Sequence, residues 1–406
     1  MHLRNVSRPL AAFALVCGVY GWVMFAATAL GHDGAIGPAF NAVGADWVIW
    51  QTAAREYFGG DLTRIYDQLW ITHAVNGQFA HWLSGPLPYP VFPYPPASLL
   101  LIVPFAALPM PLSLLAFEIM TFAALAWALK RLAPSRAAWL FFLAAAILAP
   151  AASNNLLAGQ NGFLTAAILL GGVMLLDARP LLAGALFGLM IVKPQFLPLL
   201  AVALLAARQR GAFAAMIASM LGLVVVSAWL FGGALWVDWI GTFLIPQAGT
   251  GINGNDWGHM WDNSVSTCAT LLGASPMMAA IAQAVAALVA LASVWLAFRN
   301  GLPLVSRISV LALAVLLASP HLSPYDMELL ALAAAVQIYR LPEGTRPLAL
   351  LLPLAGWIAP LLSPPRVNML GFLLPLVLVG LIASVFAGFP AKKAASAACE
   401  ASPEPV

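Results

Sequence analysis

The chain is a succession of apolar stretches, each about as long as a bilayer is thick, running from end to end. The first is "PLAAFALVCGVYGWVMFAATALG", and comparable runs recur as far as "LLPLVLVGLIASVFAGF". A helix needs roughly 17–25 apolar residues to cross the hydrocarbon core. Within lipid every backbone polar group must be satisfied internally, which favours helices. Composition closes off the soluble alternative. Only 8% of residues are charged and 62% are hydrophobic, where a soluble domain carries roughly 25% charged residues. The fold expected is all-α, a polytopic membrane protein. Apolar runs at 9–30, 112–129, 137–152, 163–177, 181–193, 196–207, 212–232, 277–298, 303–319, 327–340, 347–364 and 368–388 predict about twelve transmembrane helices. The N-terminal run is too long for a cleaved signal and is read as a first span and signal anchor.

One further run, "PPASLLLIVPFAALPM" (95–110), either spans or lies in the interface as a proline-broken helix. Charge decides between these, because cytoplasmic loops collect lysine and arginine. If 95–110 does not span and the N-terminus is inside, fourteen of the 18 basic residues face the cytoplasm: Arg4, Arg8, Lys130, Arg131, Arg136, Arg179, Arg208, Arg210, Arg299, Arg307, Arg340, Arg346, Lys392 and Lys393. The other four, Arg55, Arg64, Lys193 and Arg366, fall outside or in the outer half. A spanning 95–110 inverts every later loop and spoils the pattern. The expectation is therefore one transmembrane domain over 1–390 with both termini cytoplasmic. It carries two outer loops, 31–111 and 233–276, and a disordered polar tail at 391–406. The polar and aromatic residues gather in the outer loops, so chemistry is expected on that face.

Several function classes are excluded. A net charge of +3, with cations spread singly, offers no surface for nucleic acid. Cys17, Cys268 and Cys399 follow neither a metal spacing nor a disulfide framework. There is no Walker loop and no dinucleotide fingerprint. No cofactor is expected. His259, Asp262 and Asn263 could ligate a divalent cation, but they lack the carboxylate pair such a site needs, so no metal is expected either.

The residues that could carry chemistry are few. Asp46, in "GADWVIWQTAAREYF", is either a general base beside indoles or an acid complementing the start of a short amphipathic helix. "PLPYPVFPYPPASLLL" sets Tyr94 in a rigid extended segment, where it could wall a sugar or lipid site. In "SNNLLAGQNGFL", Asn154, Asn155, Gln160 and Asn161 either cap helices around a turn or contact substrate hydroxyls. Lys193, in "LMIVKPQFLPLL", is a cation in an apolar run, which is costly unless it snorkels or holds an anion such as a headgroup-level phosphate. "SPHLSPYD" places His321 near Tyr325 and Asp326, and His321 could bind phosphate or move a proton. Trp257 and Trp261 either stack on a sugar face or anchor at the interface, and Arg366 is a further outer cation that either holds an anion or serves no site.

An aspartate soon after the first span, then "FPYPPASLLLIVPF", "GQNGFL", "KPQ" and "SPHLSPYD" in this order, resembles glycosyltransferase family 87 over roughly residues 10–340. The resemblance implies a GT-C membrane fold and a mannosyltransferase-like hexosyl transfer from a polyprenyl-phosphate sugar to a glycolipid or glycan hydroxyl. It implies Asp46 as the catalytic base and Lys193 and His321 as donor-phosphate residues. The family's "NQS"-like motif corresponds to "DNS" (262–264), an imperfect match that brings in Ser264 as a substrate-binding candidate. The implied setting is the bilayer of a bacterial inner membrane, with the active site on the periplasmic face. The rival reading is a transporter or lipid-linked sugar flippase. It calls for polar residues on the inner face as well, and the inner loops hold little beyond arginine and proline.

Overall fold

The computed structural model describes residues 8–30, 43–83, 85–87, 90–244, 262–341, 348–363 and 368–387. Among these residues every regular element is helical. The first apolar run forms α1 (Arg8–Leu30). Three short helices follow in the region expected as the first outer loop: α2 (Ala45–Arg55), α3 (Gln68–Gln78) and α4 (Leu99–Ala106). A 3₁₀ turn at Pro96–Ser98 leads into α4, and together they stay well short of the ~30 Å core.

The long helix α5 (Met110–Leu132) ends on Lys130 and Arg131, cations that suit a helix C-terminus. The run expected as one span at 137–152 breaks instead. Helices α6 (Arg136–Ile147) and α7 (Pro150–Ala158) meet at 54°. Pro150 has no N–H to continue α6, yet at the first turn of α7 that loss costs nothing. Next come α8 (Gly162–Leu175), α9 (Pro180–Gly188), α10 (Leu197–Ala206) and α11 (Arg210–Phe231). Between α9 and α10 the chain tightens into 3₁₀ turns around Lys193 and Pro194.

The amphipathic α12 (Ala234–Leu244) and the short α13 (Val265–Leu271) precede α14 (Pro276–Arg299). The last helices are α15 (Leu304–Ala318), α16 (Glu328–Arg340), α17 (Leu348–Ile358) and α18 (Leu374–Ala387). Among the described residues, five helices are long and apolar enough to cross a membrane: α1, α5, α11, α14 and one ending in α18. The bent α6–α7 pair makes a sixth when taken as one span, and the other apolar helices are shorter.

Two apolar cores result. The larger one joins α5 through α11 with α14 through α18. The smaller one is built by α2, α3, α4 and the start of α5 around Trp47 and Trp50. Trp47 stacks at 4.6 Å on Phe117 and donates from Nε1 to Ser113 Oγ at 3.0 Å. Gln51 donates to the Leu108 carbonyl at 2.7 Å, and Arg55 Nε to the Ala106 carbonyl at 3.1 Å. These last two bonds satisfy carbonyls at the exposed end of α4. They lock α2, and with it Asp46, onto the membrane-side helices.

Candidate active site

Two left-handed glycines bring the first polar groups together. Gly44 (φ 70°) precedes α2, and Gly159 (φ 73°) terminates α7. A Cβ on Gly159 would lie 2.5 Å from Trp47 Cβ and 3.3 Å from Gly44 Cα. Only glycine tolerates both the backbone and the contact. The Gly44 N–H donates to the Leu157 carbonyl at 2.6 Å. The turn after Gly159 then presents Gln160 to Asp46.

Gln160 Nε2 donates to Asp46 Oδ2 at 2.8 Å and to Tyr94 Oη at 2.6 Å. Asp46 lies in the first turn of α2, where it complements the helix dipole, but it makes no capping hydrogen bond; Gly44 occupies the cap position. Its carboxylate is half-buried. Burial pushes its pKa above the ordinary carboxylate value. The Gln160 hydrogen bond, then His321 and Lys193, pull it partly back, while Asp326 pushes it up. Tyr94 packs edge-on at 4.4 Å against Trp50, and burial holds its hydroxyl protonated. The Gln160 hydrogen bond favours the ionised carboxylate, so if Asp46 serves as a base, Gln160→Leu should move the acid limb of the pH–rate profile to higher pH. A limb that stays in place would show that Gln160 does not tune Asp46.

Lys193 is buried at 3% exposure and forms an ion pair with Asp326. Its ammonium lies 5.1 Å above the Tyr325 ring. Asp326 also accepts the Ser323 N–H at 3.2 Å, closing a capping box at the entrance to α16. His321, on the turn between α15 and α16, has its Nδ1 3.6 Å from Asp262 Oδ2. Among candidates named from sequence, Asp46, Tyr94, Gln160, Lys193 and His321 thus fall into one cluster. Tyr325 and Asp326 belong to it as well. The sequence sets both beside His321 without marking a role for either, because nothing local identifies Asp326 as the partner of a lysine 133 positions away.

Other candidates have different fates. Asn155 is a structural pin: Nδ2 donates to the buried Glu118 at 2.8 Å, and Oδ1 accepts the Gly162 N–H at 2.7 Å. Asn154 bonds back to the Pro150 carbonyl at 3.1 Å. Asn161 is fully buried, and neither end of its amide has a hydrogen-bond partner. Ser264 is buried and committed to protein. It caps α13 and binds Asp262 through its N–H at 2.9 Å and its hydroxyl at 3.0 Å. Trp257, Trp261 and Arg366, with His259, lie outside the described residues.

The basic residues mark the other end of the molecule. Helices α5, α15 and α16 each have one terminus at this cluster, and Lys130, Arg131, Arg307 and Arg340 sit towards the opposite terminus. There Arg307 Nη1 meets Asp177 Oδ1 at 3.0 Å, and Arg340 donates to Ser306 Oγ at 2.6 Å.

Comparison with known proteins adds one match. A family model described as glycosyltransferase family 87 covers residues 92–320, more than half of the chain. No curated protein and no solved structure matches. The matched segment contains Tyr94, Gln160, Asn161, Lys193, Asp262 and Ser264; His321 and Asp326 lie just beyond its C-terminal end, and Asp46 lies well before its start.

Proposed function

The chain belongs to glycosyltransferase family 87, and from that premise we propose that it moves a hexose, mannose foremost, from a polyprenyl phosphate to an acceptor hydroxyl by a single inverting displacement. The observation that carries this reading is the shared cluster. A half-buried carboxylate, Asp46, is oriented by Gln160 and lies within electrostatic reach of two cations, Lys193 and His321. The acceptor oxygen attacks the anomeric carbon and its proton passes to Asp46. The bond from that carbon to the phosphate oxygen breaks, and the electron pair leaves with the phosphate. Cations fixed in place beforehand stabilise the growing phosphate charge without reorganising. Lys193 must share its ammonium between Asp326 and the incoming phosphate, and its three donors allow that.

Helix lengths fit a donor that is itself a lipid. Helices α8, α15 and α16, of 14, 15 and 13 residues, reach the cluster. At 1.5 Å per residue they are about 20–22 Å long, short of a ~30 Å core. The cluster end is recessed, in this reading, beneath the headgroup level, a depth that the phosphate of a donor anchored by its own lipid chain can reach. In this reading the five long helices, the bent pair, the five shorter apolar helices after Pro96–Ala106 and α16 are the twelve spans. The Arg- and Lys-rich ends are then cytoplasmic and the site faces the periplasm. A reporter fused after residue 130 should read cytoplasmic; an outside reading would invert the topology. The direct test is purified protein in a lipid extract with a panel of labelled polyprenyl-phosphate sugars. Transfer of label to a glycolipid or glycan is expected. No transfer from any member of the panel would remove the polyprenyl-phosphate assignment.

A further inference from the structure

The placement of His321 beside the donor phosphate leaves the buried carboxylate nearest to it, Asp262, without a part in the reaction. Asp262 is 1% exposed. Its Oδ1 accepts the backbone N–H groups of Leu322 at 2.8 Å and Ser264 at 2.9 Å. Its Oδ2 accepts the hydroxyls of Thr267 at 2.7 Å and Ser264 at 3.0 Å. All four partners are donors, an environment made for an acceptor-only carboxylate. Oδ2 also lies 3.6 Å from His321 Nδ1, while the His321 side chain keeps 56% of its surface exposed.

We propose that Asp262 is the positioning residue for His321: it keeps the imidazole cationic, with Nδ1 turned to the carboxylate and the rest of the ring, Nε2 included, free for a phosphate oxygen of the donor. The proposal rests on the transferase reading above. The backbone supports it, because the two segments are stitched together. The Asn263 N–H donates to the Leu322 carbonyl at 2.8 Å, beside the reciprocal Leu322–Asp262 bond. The carboxylate and the imidazole therefore sit on one rigid frame. The charged groups facing His321 come from four elements: Asp262 before α13, Asp326 before α16, Lys193 between α9 and α10, and Asp46 on α2. Partial desolvation by the protein around it opposes the cation and so does Lys193, whereas Asp262 and Asp326 favour it. The balance leaves the His321 pKa raised. A histidine–carboxylate pair of this kind fixes ring orientation as well as charge.

The test is the titration of His321 by NMR in full-length protein labelled at its histidines, the signal assigned by its loss in His321→Gln. In the unmodified protein the pKa should stand above the ordinary value of about 6.5; a value at or below that overturns the proposal with no variant needed. Asp262→Asn should lower it, and Asp262→Glu should restore it. An unchanged titration in Asp262→Asn also overturns the proposal. A second readout separates positioning from mere folding. Asp262→Asn and His321→Gln should each raise the donor KM, and the double variant should be no worse than His321→Gln alone. Additive losses would assign Asp262 a structural role instead. The titration needs no substrate. A shifted His321 in a protein that transfers no sugar would therefore sink the transferase reading and leave the pairing intact.

Discussion

Asp46→Asn should lower sugar transfer by about 10²–10⁴-fold, the share of rate that a positioned general base supplies. The substitution is close to isosteric. An asparagine oxygen still accepts from Gln160 Nε2, the bond that spans 2.8 Å in the native protein. Gly44 holds the start of α2 by its backbone, and no capping hydrogen bond depends on the Asp46 side chain. Folding should therefore survive, and circular dichroism with thermal unfolding in detergent checks that it does. The loss should fall on kcat, because proton removal belongs to the transition state, and donor KM should change little. Near-native turnover in this variant would eliminate Asp46 as the base. The native enzyme carries a further signature. Burial raises the Asp46 carboxyl above its ordinary range, so the acid limb of kcat/KM should sit higher than an exposed aspartate would place it.

Lys193→Ala should be the most destabilising single change in the site. It leaves Asp326, whose side chain is 4% exposed, buried without its counter-ion. Removing one member of a buried pair costs about 3–5 kcal/mol, far more than the pair contributes over an apolar replacement. The expected result is a clear drop in thermal stability together with a raised donor KM. These two effects need separating, since a loosened protein also binds poorly. Lys193→Met combined with Asp326→Leu removes both charges at similar volume. The double variant should regain most of the lost stability and remain unable to use a polyprenyl-phosphate donor. A double variant that recovers both would leave Lys193 a purely structural cation and move the phosphate elsewhere in the site.

The two predictions differ in kind because the residues do. Asp46 is half-buried and held by a single side-chain hydrogen bond, so it can change charge without unmaking its surroundings. Lys193 and Asp326 are each other's environment. The resting site therefore holds its buried cation in an ion pair, and on the proposed reading a donor phosphate would have to compete for it.

Much of this was legible in the chain. A run of apolar residues longer than a bilayer leaves its backbone no partner except itself, so α1, α5, α11 and α14 could be read directly, with boundaries within a few residues. The cost of charge in lipid singled out Lys193. The asymmetry of arginine and lysine grouped Asp46, Lys193 and His321 at one end, where the fold indeed brings them together. Local chemistry also misled. Pro150 was hidden inside a run apolar enough to look continuous, and the 54° break there carries α7 down to the site. Asn155 looked as fit for a substrate as Gln160 beside it. One pins Glu118 and Gly162, the other holds Asp46, and nothing in "SNNLLAGQNGFL" says which is which.

That division has a physical cause. Apolar length and charge placement act on each segment separately, through lipid and water, and so they can be read along the chain. Partnership acts between segments. Gln160 meets Asp46 across 114 positions and Lys193 meets Asp326 across 133, and in a dry interior each buried polar group must find a particular mate. Which mates meet is settled by how short helices, a proline break and two left-handed glycines stack in three dimensions.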